Sequence, residues 1–328
     1  LMKDSDLALL VGILYGCALA IHLDPLCWAV GIYDLGGMFF FIFSFYFFIL
    51  GKNWISCLCF CLGALFKESL ILIPTLLFVY SAGSNATWDL KNVKLAFSKT
   101  WMHFGSAAFF LSMKLVYGVN IITLPSSHPY AISLRIHSIL SNLTLYFKWM
   151  IQSIIPVNVL TDGFLVFLFA ALLLGLISAV RHKSTSIKMP LFLIFWTVLM
   201  LIPVLILPNH VYRYYAAYSL PAFLTLILIS FRGLTFLFGK THYLALALTL
   251  IILDVSVIQS NLLFRSAGTA RTFLGGNNNL IERAEIVQTV RTNLLRNLPN
   301  PTSGSIILLG DVDLWAFSGS SGPRVWYL

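Results

Sequence analysis

Residues 35–50 read LGGMFFFIFSFYFFIL, and no charged side chain interrupts them. A helix of about 17–25 apolar residues is long enough to cross the hydrocarbon core of a bilayer. Similar apolar stretches recur at 6–22, 101–118, 164–180, 190–207, 215–231 and 243–259. The sequence therefore predicts an all-α polytopic membrane protein.

The composition of the chain agrees with a lipid environment. Of its 328 residues, 59% are hydrophobic and 10% are charged, whereas soluble domains carry about 25% charged residues. A net charge of +9 would suggest nucleic acid as the partner of a soluble protein. Here the basic residues form short clusters between apolar runs, without a basic face or a stacking motif. We therefore predict an integral membrane protein that contacts the bilayer and binds no nucleic acid.

One apolar segment, residues 54–80, is interrupted by Lys67 and Glu68. Each half of this segment has about a dozen residues, which is too short to cross a hydrocarbon core of roughly 30 Å. We therefore predict a short helical hairpin with Lys67 and Glu68 at its tip, in a cavity open to one face of the membrane.

A second segment, residues 119–160, is also predicted not to cross the bilayer. Its apolar part, residues 138–155, contains polar side chains at three positions, Asn142, Lys148 and Gln152. Such a pattern favours an interfacial or re-entrant helix. The segment also contains His128, Arg135 and His137. Its basic character suits a lipid headgroup or a phosphate-bearing ligand, and simple snorkelling at the interface is the competing interpretation.

The distribution of basic residues predicts the orientation of the chain. The basic clusters are Lys52; Lys91, Lys94 and Lys99; Arg181, His182, Lys183 and Lys188; and Arg232 and Lys240. All of them fall on one side if 54–80 is a hairpin and 119–160 does not cross, and the positive-inside rule makes that side cytoplasmic. The loop 23–34, the hairpin tip and residues 208–214 are then external.

Residues 261–328 differ in character from the predicted transmembrane domain, residues 1–260. Residues 280–298, LIERAEIVQTVRTNLLRNL, have apolar side chains at helical spacing. Residues 305–310, SIILLG, are readable as a buried strand. We predict a small external α/β segment that is incomplete, and we expect the chain, which begins at Leu1, to be a piece of a longer protein.

Charged side chains at the external mouth are candidates for a binding site, because charges near a bilayer core are costly. Lys67 suits a phosphate, and Glu68 can act as a base or simply neutralise Lys67. A local ion pair that caps two helix ends is the competing interpretation. Arg213 also suits a phosphate, since its planar fork binds two oxygens at once, while the tyrosines around it fit an interfacial aromatic belt.

The loop before residue 35 offers three further polar side chains. His22 and Asp24 are two positions apart, so they can meet in a turn but not on one helix face. Asp34 is predicted to cap the helix that begins near Leu35.

Three ordered segments resemble the GT-C class of polytopic membrane glycosyltransferases, in its protein O-mannosyltransferase-like and TMTC-like branch. Residues 21–48, IHLDPLCWAVGIYDLGGMFFFIFSFYFF, look like that branch's HPxHxEAVxWIxGRxDLL followed by an apolar run. Residues 62–77, LGALFKESLILIPTLL, are similar to its ALLSKExxxxLPLLL, and residues 209–227, NHVYRYYAAYSLPAFLTLI, resemble its ERYLYLPxxxLALL. The order, spacing and expected sidedness of the three segments agree with the class.

The first of these segments also departs from the pattern. Asp24 falls on its Glu and Asp34 on its Asp, but Leu19 and Ala20 replace the first His and Pro, and Ile32 replaces the Arg.

The resemblance implies a GT-C-like helical bundle that moves a sugar from a polyprenyl-phosphate carrier to an acceptor on the external or periplasmic face. It implies inverting attack by an acceptor hydroxyl on the sugar C1, with a carboxylate as general base and cations stabilising the departing phosphate. The usual catalytic acid of the class would precede Leu1. A bacterial inner membrane is favoured over the endoplasmic reticulum. The candidate site residues are Asp24 and Glu68 for catalysis, and Lys67, Arg213, His22 and His210 for the substrate and its lipid phosphate.

Two other functions stay open at this point. The missing acidic loop and the lost Gly-Arg pair favour a non-catalytic GT-C-derived subunit with a scaffold role among other membrane subunits. A transporter would need a pore lined by polar side chains, for which Asp254 and His103 are the candidates. A divalent metal ion is compatible with the carboxylates and histidines at the external mouth, but the sequence requires none.

Overall fold

The computed structural model describes residues 5–18, 21–22, 25–26, 31–83, 89–117, 130–153, 162–238 and 279–299. Helices account for 85% of the described residues, and no strand occurs among them. The described part of the chain is therefore all-α. Several predicted features lie outside it, namely Asp24, His128, the apolar run 243–259 with Asp254, and the expected strand at 305–310.

The chain divides into two compact units, Leu1–Ser256 and Val257–Leu328. In the first unit the described α-helices are α1 (Ser5–Gly16), α2 (Ile32–Ile49), α3 (Asn53–Phe66), α4 (Ile73–Gly83), α5 (Leu90–Tyr117), α6 (Ile136–Gln152), α7 (Asp162–Arg181), α8 (Lys188–Leu205) and α9 (Leu220–Phe238). Two 3-10 helices, Glu68–Leu72 and Arg213–Tyr218, precede α4 and α9. In the second unit, α10 (Asn279–Asn297) occupies the stretch for which helical spacing predicts a helix.

Two of the described helices, α2 and α8, are long and apolar enough to span a membrane. Shorter apolar helices accompany them, among them α3 and parts of α1, α7 and α9. Only 39% of α2 and 50% of α8 is buried inside the protein. Both helices therefore present apolar side chains outward, such as Phe39 and Tyr46 on α2 and Ile202 on α8.

Two predicted runs have different limits in the structure. The first, 6–22, contains the shorter helix α1, which ends at Gly16. Residues 101–117 of the second run, 101–118, form the later part of the longer helix α5, so Lys91, Lys94 and Lys99 lie on the same helix as that run. The longer helix has a local cause, because Asp89 Oδ1 accepts a hydrogen bond from the Asn92 N–H at 2.7 Å and caps its start.

Helices α2 and α3 pack against each other as an antiparallel pair. The turn between them includes Gly51 at φ +73°, a left-handed conformation that glycine adopts without a steric cost. Because α3 runs back along α2, the end of α3 returns to the level of the start of α2. Helix α5 packs against both α3 and α4, and α9 packs against α1, α7 and α8.

The segment 138–155 is predicted to be interfacial or re-entrant, and its residues 138–152 form most of α6. This helix packs on α8 and on the 3-10 helix Arg213–Tyr218. Its packed face includes Asn142, Tyr146 and Met150, spaced four residues apart, and all three are buried. The Asn142 side chain donates a hydrogen bond to the Leu205 carbonyl at 3.0 Å. Part of the polarity that distinguishes this segment from a simple span therefore serves contacts inside the bundle.

Candidate functional site

Lys67 lies at the end of α3, where the chain changes from an α-helix to an extended residue and then to a 3-10 helix. Its backbone has φ −145° and ψ 115°, and its N–H still bonds the Gly63 carbonyl at 2.9 Å. The change of direction aims the side chain at the neighbouring helix α2. There the Lys67 Nζ pairs with Asp34 Oδ1 at 2.6 Å.

The ion pair is largely removed from solvent, with 19% of the Lys67 side chain and 8% of the Asp34 side chain exposed. The expectation that Asp34 caps its helix is wrong. Helix α2 begins at Ile32 with Gly31 as its N-cap, and no side chain makes a capping hydrogen bond there. Asp34 therefore lies inside the first turn of α2 rather than before it, and its carboxylate faces Lys67 instead of the helix N–H groups.

Two tyrosine rings complete the surroundings of the Lys67 ammonium. The Nζ lies 4.9 Å from the centre of the Tyr215 ring and 5.6 Å from that of Tyr214. Both distances fall within the range at which a cation is attracted to an aromatic face. Tyr214 and Tyr215 are buried, so these contacts are shielded from water. We call Asp34, Lys67, Tyr214 and Tyr215 the Lys67 site.

Tyr218 fixes the tyrosine-bearing 3-10 helix to the start of α2. Its hydroxyl donates to the Asp34 carbonyl at 3.3 Å, and its own carbonyl accepts a hydrogen bond from Trp196 Nε1 at 2.9 Å. Gly37 makes this approach possible, because a Cβ at that position would collide with the Tyr218 hydroxyl. The helices α2 and α8 thereby hold the floor of the Lys67 site in place.

An aromatic cluster continues from the Lys67 site. The His210 ring lies 4.4 Å from the Tyr130 ring, 4.8 Å from Tyr212 and 5.7 Å from Tyr215, measured between ring centres. Burial and the nearby charge of Lys67 lower the pKa of His210, because both favour the neutral imidazole. Tyr130 and Tyr212 are 48% and 38% exposed, which leaves ring surface open for contact with a ligand.

Glu68 pairs with Lys114 and not with Lys67. Its Oε1 lies 3.0 Å from the Lys114 Nζ, in the last turn of α5. The side chains of Glu68 and Lys114 are 72% and 44% exposed, so this second ion pair lies on the surface of the protein. The idea that Glu68 neutralises Lys67 is therefore replaced by two separate pairs that tie α2 to α3 and the following 3-10 helix to α5.

The contacts of Asp34, Lys67, Glu68 and Lys114 bring four parts of the chain together. These parts are the start of α2, the end of α3, the end of α5 and the 3-10 helix Arg213–Tyr218. We call this end of the bundle the Lys67 end. The distribution of basic residues predicts that the corresponding segments lie on one side of a membrane, and the structure brings these parts into contact.

The remaining candidate residues have different surroundings. Arg213 directly precedes Tyr214 in the chain. Its guanidinium lies 5.6 Å from the centre of the Trp149 ring on α6. His22 is buried against the end of α1, where its Nε2 lies 2.8 Å from the Tyr15 carbonyl. Since a carbonyl can only accept, His22 is the donor, and its ring also makes an edge contact with Tyr15 at 4.8 Å. The observed contacts of His22 are thus those of a packing residue.

A second polar cluster lies inside the bundle and is called here the Ser–His cluster: Ser44, Ser56 and His103. The Ser44 hydroxyl donates to the Ser56 carbonyl at 3.0 Å, and the Ser56 hydroxyl donates to the Ser44 carbonyl at 2.7 Å. The Ser56 oxygen lies 2.9 Å from His103 Nε2, so it accepts from that nitrogen. All three residues are fully buried, and His103 Nδ1 has no hydrogen-bond partner among the described residues.

Among the residues that the structure describes, no group of three His, Cys, Asp or Glu side chains could hold a metal ion. Comparisons of the chain with protein-family models, with curated proteins and with solved structures found no match.

Sequence reasoning found Lys67 but not its surroundings. Asp34 was predicted to cap a helix rather than to pair with Lys67, and the tyrosines around Arg213 were predicted to belong to an interfacial belt rather than to surround Lys67. Lys114 was not singled out, although two adjacent opposite charges in an apolar segment indicate that oppositely charged partners lie nearby. Neighbouring residues in an extended or 3-10 segment point to different sides. Lys67 and Glu68 therefore pair with different residues, Asp34 and Lys114.

Proposed function

We propose that this chain is a multi-pass membrane protein that binds a polyprenyl-phosphate-linked sugar at the Lys67 end and transfers the sugar to an acceptor. The observation that carries the proposal is the Lys67 ammonium, held between a carboxylate and two tyrosine rings at one end of an apolar helical bundle. The resemblance of three sequence segments to GT-C glycosyltransferases agrees with this assignment.

The outer surface of the bundle supports the membrane part of the proposal. Large apolar side chains are exposed on several helices, for example Phe43 on α2, Phe109 on α5 and Phe169 on α7. In water such surface would favour aggregation, whereas in lipid it is the solvated face. Helices α7 and α9 also approach each other through Gly175 and Gly233, where neither residue leaves room for a Cβ. Small residues at helix contacts are typical of membrane bundles.

The chemistry of the Lys67 end suits a sugar phosphate. Lys67 offers a compact positive charge to a phosphate oxygen, and Arg213, directly before Tyr214 in the chain, offers a planar fork for two oxygens. The partly exposed rings of Tyr130 and Tyr212 offer apolar faces against which the C–H groups of a sugar ring can pack. Cations for the phosphate and aromatic surface for the sugar therefore belong to the same end of the bundle.

In the proposed reaction, an oxygen of the acceptor hydroxyl attacks the sugar C1 and forms the new glycosidic bond. The bond between C1 and the phosphate oxygen breaks, its electron pair stays on the leaving polyprenyl phosphate, and a carboxylate takes the hydroxyl proton. Lys67 and Arg213 stabilise the charge that develops on the leaving phosphate. Asp24 and Glu68 are the candidates for this base from the sequence.

A non-catalytic membrane subunit is the second candidate, and one observation favours it. The two carboxylates that the structure describes at the Lys67 end, Asp34 and Glu68, are both engaged in ion pairs with lysines. A carboxylate that is held by an ammonium is a weaker base than a free one. A chain without a free base would keep the lipid-binding end but not the transfer step.

Transfer of label from radiolabelled polyprenyl-phosphate hexoses by the purified chain in lipid nanodiscs tests the proposal. We expect Lys67→Ala to reduce transfer by about a hundredfold, as loss of a charge-stabilising donor does. Lys94→Ala is the matched control, because Lys94 is an exposed lysine near the start of α5, and it should transfer like wild type. Undiminished transfer by Lys67→Ala would overturn the site assignment, and lipid binding without transfer would favour the non-catalytic subunit.

A further inference from the structure

We propose that Asp34 competes with the phosphate of the ligand for Lys67, so that the Asp34–Lys67 pair is the closed, ligand-free state of the site. This inference rests on the proposed function, because it takes a phosphate-bearing lipid as the ligand. Binding would then exchange one anionic partner of the Lys67 ammonium for another.

The geometry of Lys67 allows such an exchange. Its ammonium has three N–H donors, and its ion-pair partner among the residues that the structure describes is Asp34, whose Oδ1 lies 2.6 Å away. The ammonium lies over the rings of Tyr214 and Tyr215. These rings can stabilise its charge whichever anion is present. A 19% exposed side chain on a flexible four-carbon stem can turn toward an incoming phosphate without breaking a helix, because Lys67 stands in the extended gap between two helical segments.

The position of Asp34 makes its release acceptable. Asp34 lies in the first turn of α2, where the free N–H groups and the positive end of the helix dipole favour a negative charge. Its carbonyl stays bonded to the Tyr218 hydroxyl, so the backbone keeps its place while the carboxylate loses Lys67. A carboxylate released elsewhere in a buried site would lack this compensation.

The direction of the effect follows from charge. A phosphate that approaches Lys67 meets the negative charge of Asp34 within a few ångströms, and a like charge at that distance disfavours a second anion by about tenfold or more. Removing the charge of Asp34 should therefore tighten phosphate binding. A purely structural pair predicts the opposite result, since loss of Asp34 would then disturb Lys67 and weaken binding.

The experiment measures binding of dodecyl phosphate to the chain in nanodiscs by isothermal titration, for wild type, Asp34→Asn, Lys67→Met and the double variant. We expect Asp34→Asn to bind about tenfold tighter than wild type, and both variants that lack Lys67 to lose this gain. Inorganic phosphate forms a second arm, which shows whether the site binds the phosphate anion alone or requires an attached alkyl chain. Dodecanol forms a third arm, which measures binding through the alkyl chain alone.

Equal or weaker binding of dodecyl phosphate by Asp34→Asn overturns the inference and leaves the proposed function standing if wild type binds and Lys67→Met does not. Failure of all variants to distinguish dodecyl phosphate from dodecanol overturns the proposed lipid-phosphate site as well. If Asp34→Asn does not fold, Asp34→Ser is the second neutral variant, because serine is smaller and has a helix propensity similar to that of asparagine. Loss of folding in both variants would identify the pair as a structural one and overturn the inference.

Discussion

The α2–α3 pair carries two polar clusters that differ in charge and in access to solvent. Asp34 and Ser44 are ten positions apart on α2, which is about 15 Å along a helix at 1.5 Å per residue. The Lys67 site is charged and partly open, whereas the Ser–His cluster is hydrogen-bonded through neutral hydroxyls and fully closed. The difference shows where this bundle tolerates charge.

The physical reason is the cost of burying an ion. A buried ionised group is far more costly than a buried hydroxyl unless it is paired. At the end of the bundle, a lysine keeps some access to solvent and finds both a carboxylate and two ring faces. Between the helices, serines satisfy one another and their backbone carbonyls without any charge. The bundle therefore keeps a charged pair where some solvent access remains and only neutral groups where the packing is fully closed.

The largest expected effect on stability comes from breaking the ion pair of the Lys67 site. Lys67→Met leaves the Asp34 carboxylate buried without its partner, and we expect a loss of about 2–3 kcal/mol. This is below the usual range for a fully buried pair, because Lys67 is partly exposed and the first turn of α2 favours the remaining carboxylate. Unfolding in detergent by denaturant titration measures it. The double variant with Asp34→Asn should recover most of the loss, and a double variant as unstable as the single one would contradict the pairing.

The next effect concerns the closed Ser–His cluster. Ser56→Ala removes the hydroxyl that bonds both the Ser44 carbonyl and His103 Nε2. We expect a loss of about 1–3 kcal/mol, the cost of leaving a buried polar group unsatisfied. Ser98→Ala is the control, because the Ser98 hydroxyl is exposed and bonds the carbonyl of its own helix at Leu95. Dodecyl phosphate binding should be the same in both variants, and a change specific to Ser56→Ala would break the distinction between the two clusters.

A smaller effect is expected at the attachment of the 3-10 helix to α2. Tyr218→Phe removes the hydroxyl that donates to the Asp34 carbonyl but keeps the ring that contacts Phe41 edge to face at 5.8 Å. The expected cost is about 1 kcal/mol, the net value of a typical hydrogen bond, and thermal unfolding measures it. Tyr46→Phe, on an exposed tyrosine of α2, should change stability little. A loss well above that of one hydrogen bond would mean that the hydroxyl has a larger role in the Lys67 site.

Local patterns in the sequence predicted much of the helical fold. Apolar runs located α2 and α8 to within a few residues, and helical spacing located α10. The interruption at Lys67 predicted the break between α3 and α4, because two adjacent charges do not belong inside an apolar helix. The start of α5 was not predicted, because its first turns are basic and amphipathic rather than apolar. Only the Asp89 cap marks the residue at which the helix begins.

The site was harder to predict than the helices, because its residues are far apart in the chain. The residues Asp34, Lys67 and Tyr215 come from three separate segments, and single-residue patterns do not reveal which of them pair. Asp34 was taken for a cap because the apolar run begins at Leu35, but the helix starts earlier, at Ile32. A shift of three residues turned the carboxylate from the helix end toward Lys67. The sequence singled out the histidine of the Ser–His cluster but not its serine partners, because serines inside apolar runs resemble neutral small residues.

The smallest expected effect tests the exposed pair beside the Lys67 site. Glu68→Gln removes the charge that pairs with Lys114 at 3.0 Å, but both side chains are well exposed, and exposed pairs contribute at most about 1 kcal/mol. We expect a loss below about 0.5 kcal/mol that disappears in high salt, because ions screen exposed charges. Denaturant unfolding at low and high ionic strength measures this difference. The Lys67→Met loss, in contrast, should persist in high salt, since its pair is mostly shielded from solvent. If both losses vanished together, the Lys67 site would be as open as the Glu68–Lys114 pair, and the charge of Lys67 would no longer set it apart from the surface of the bundle.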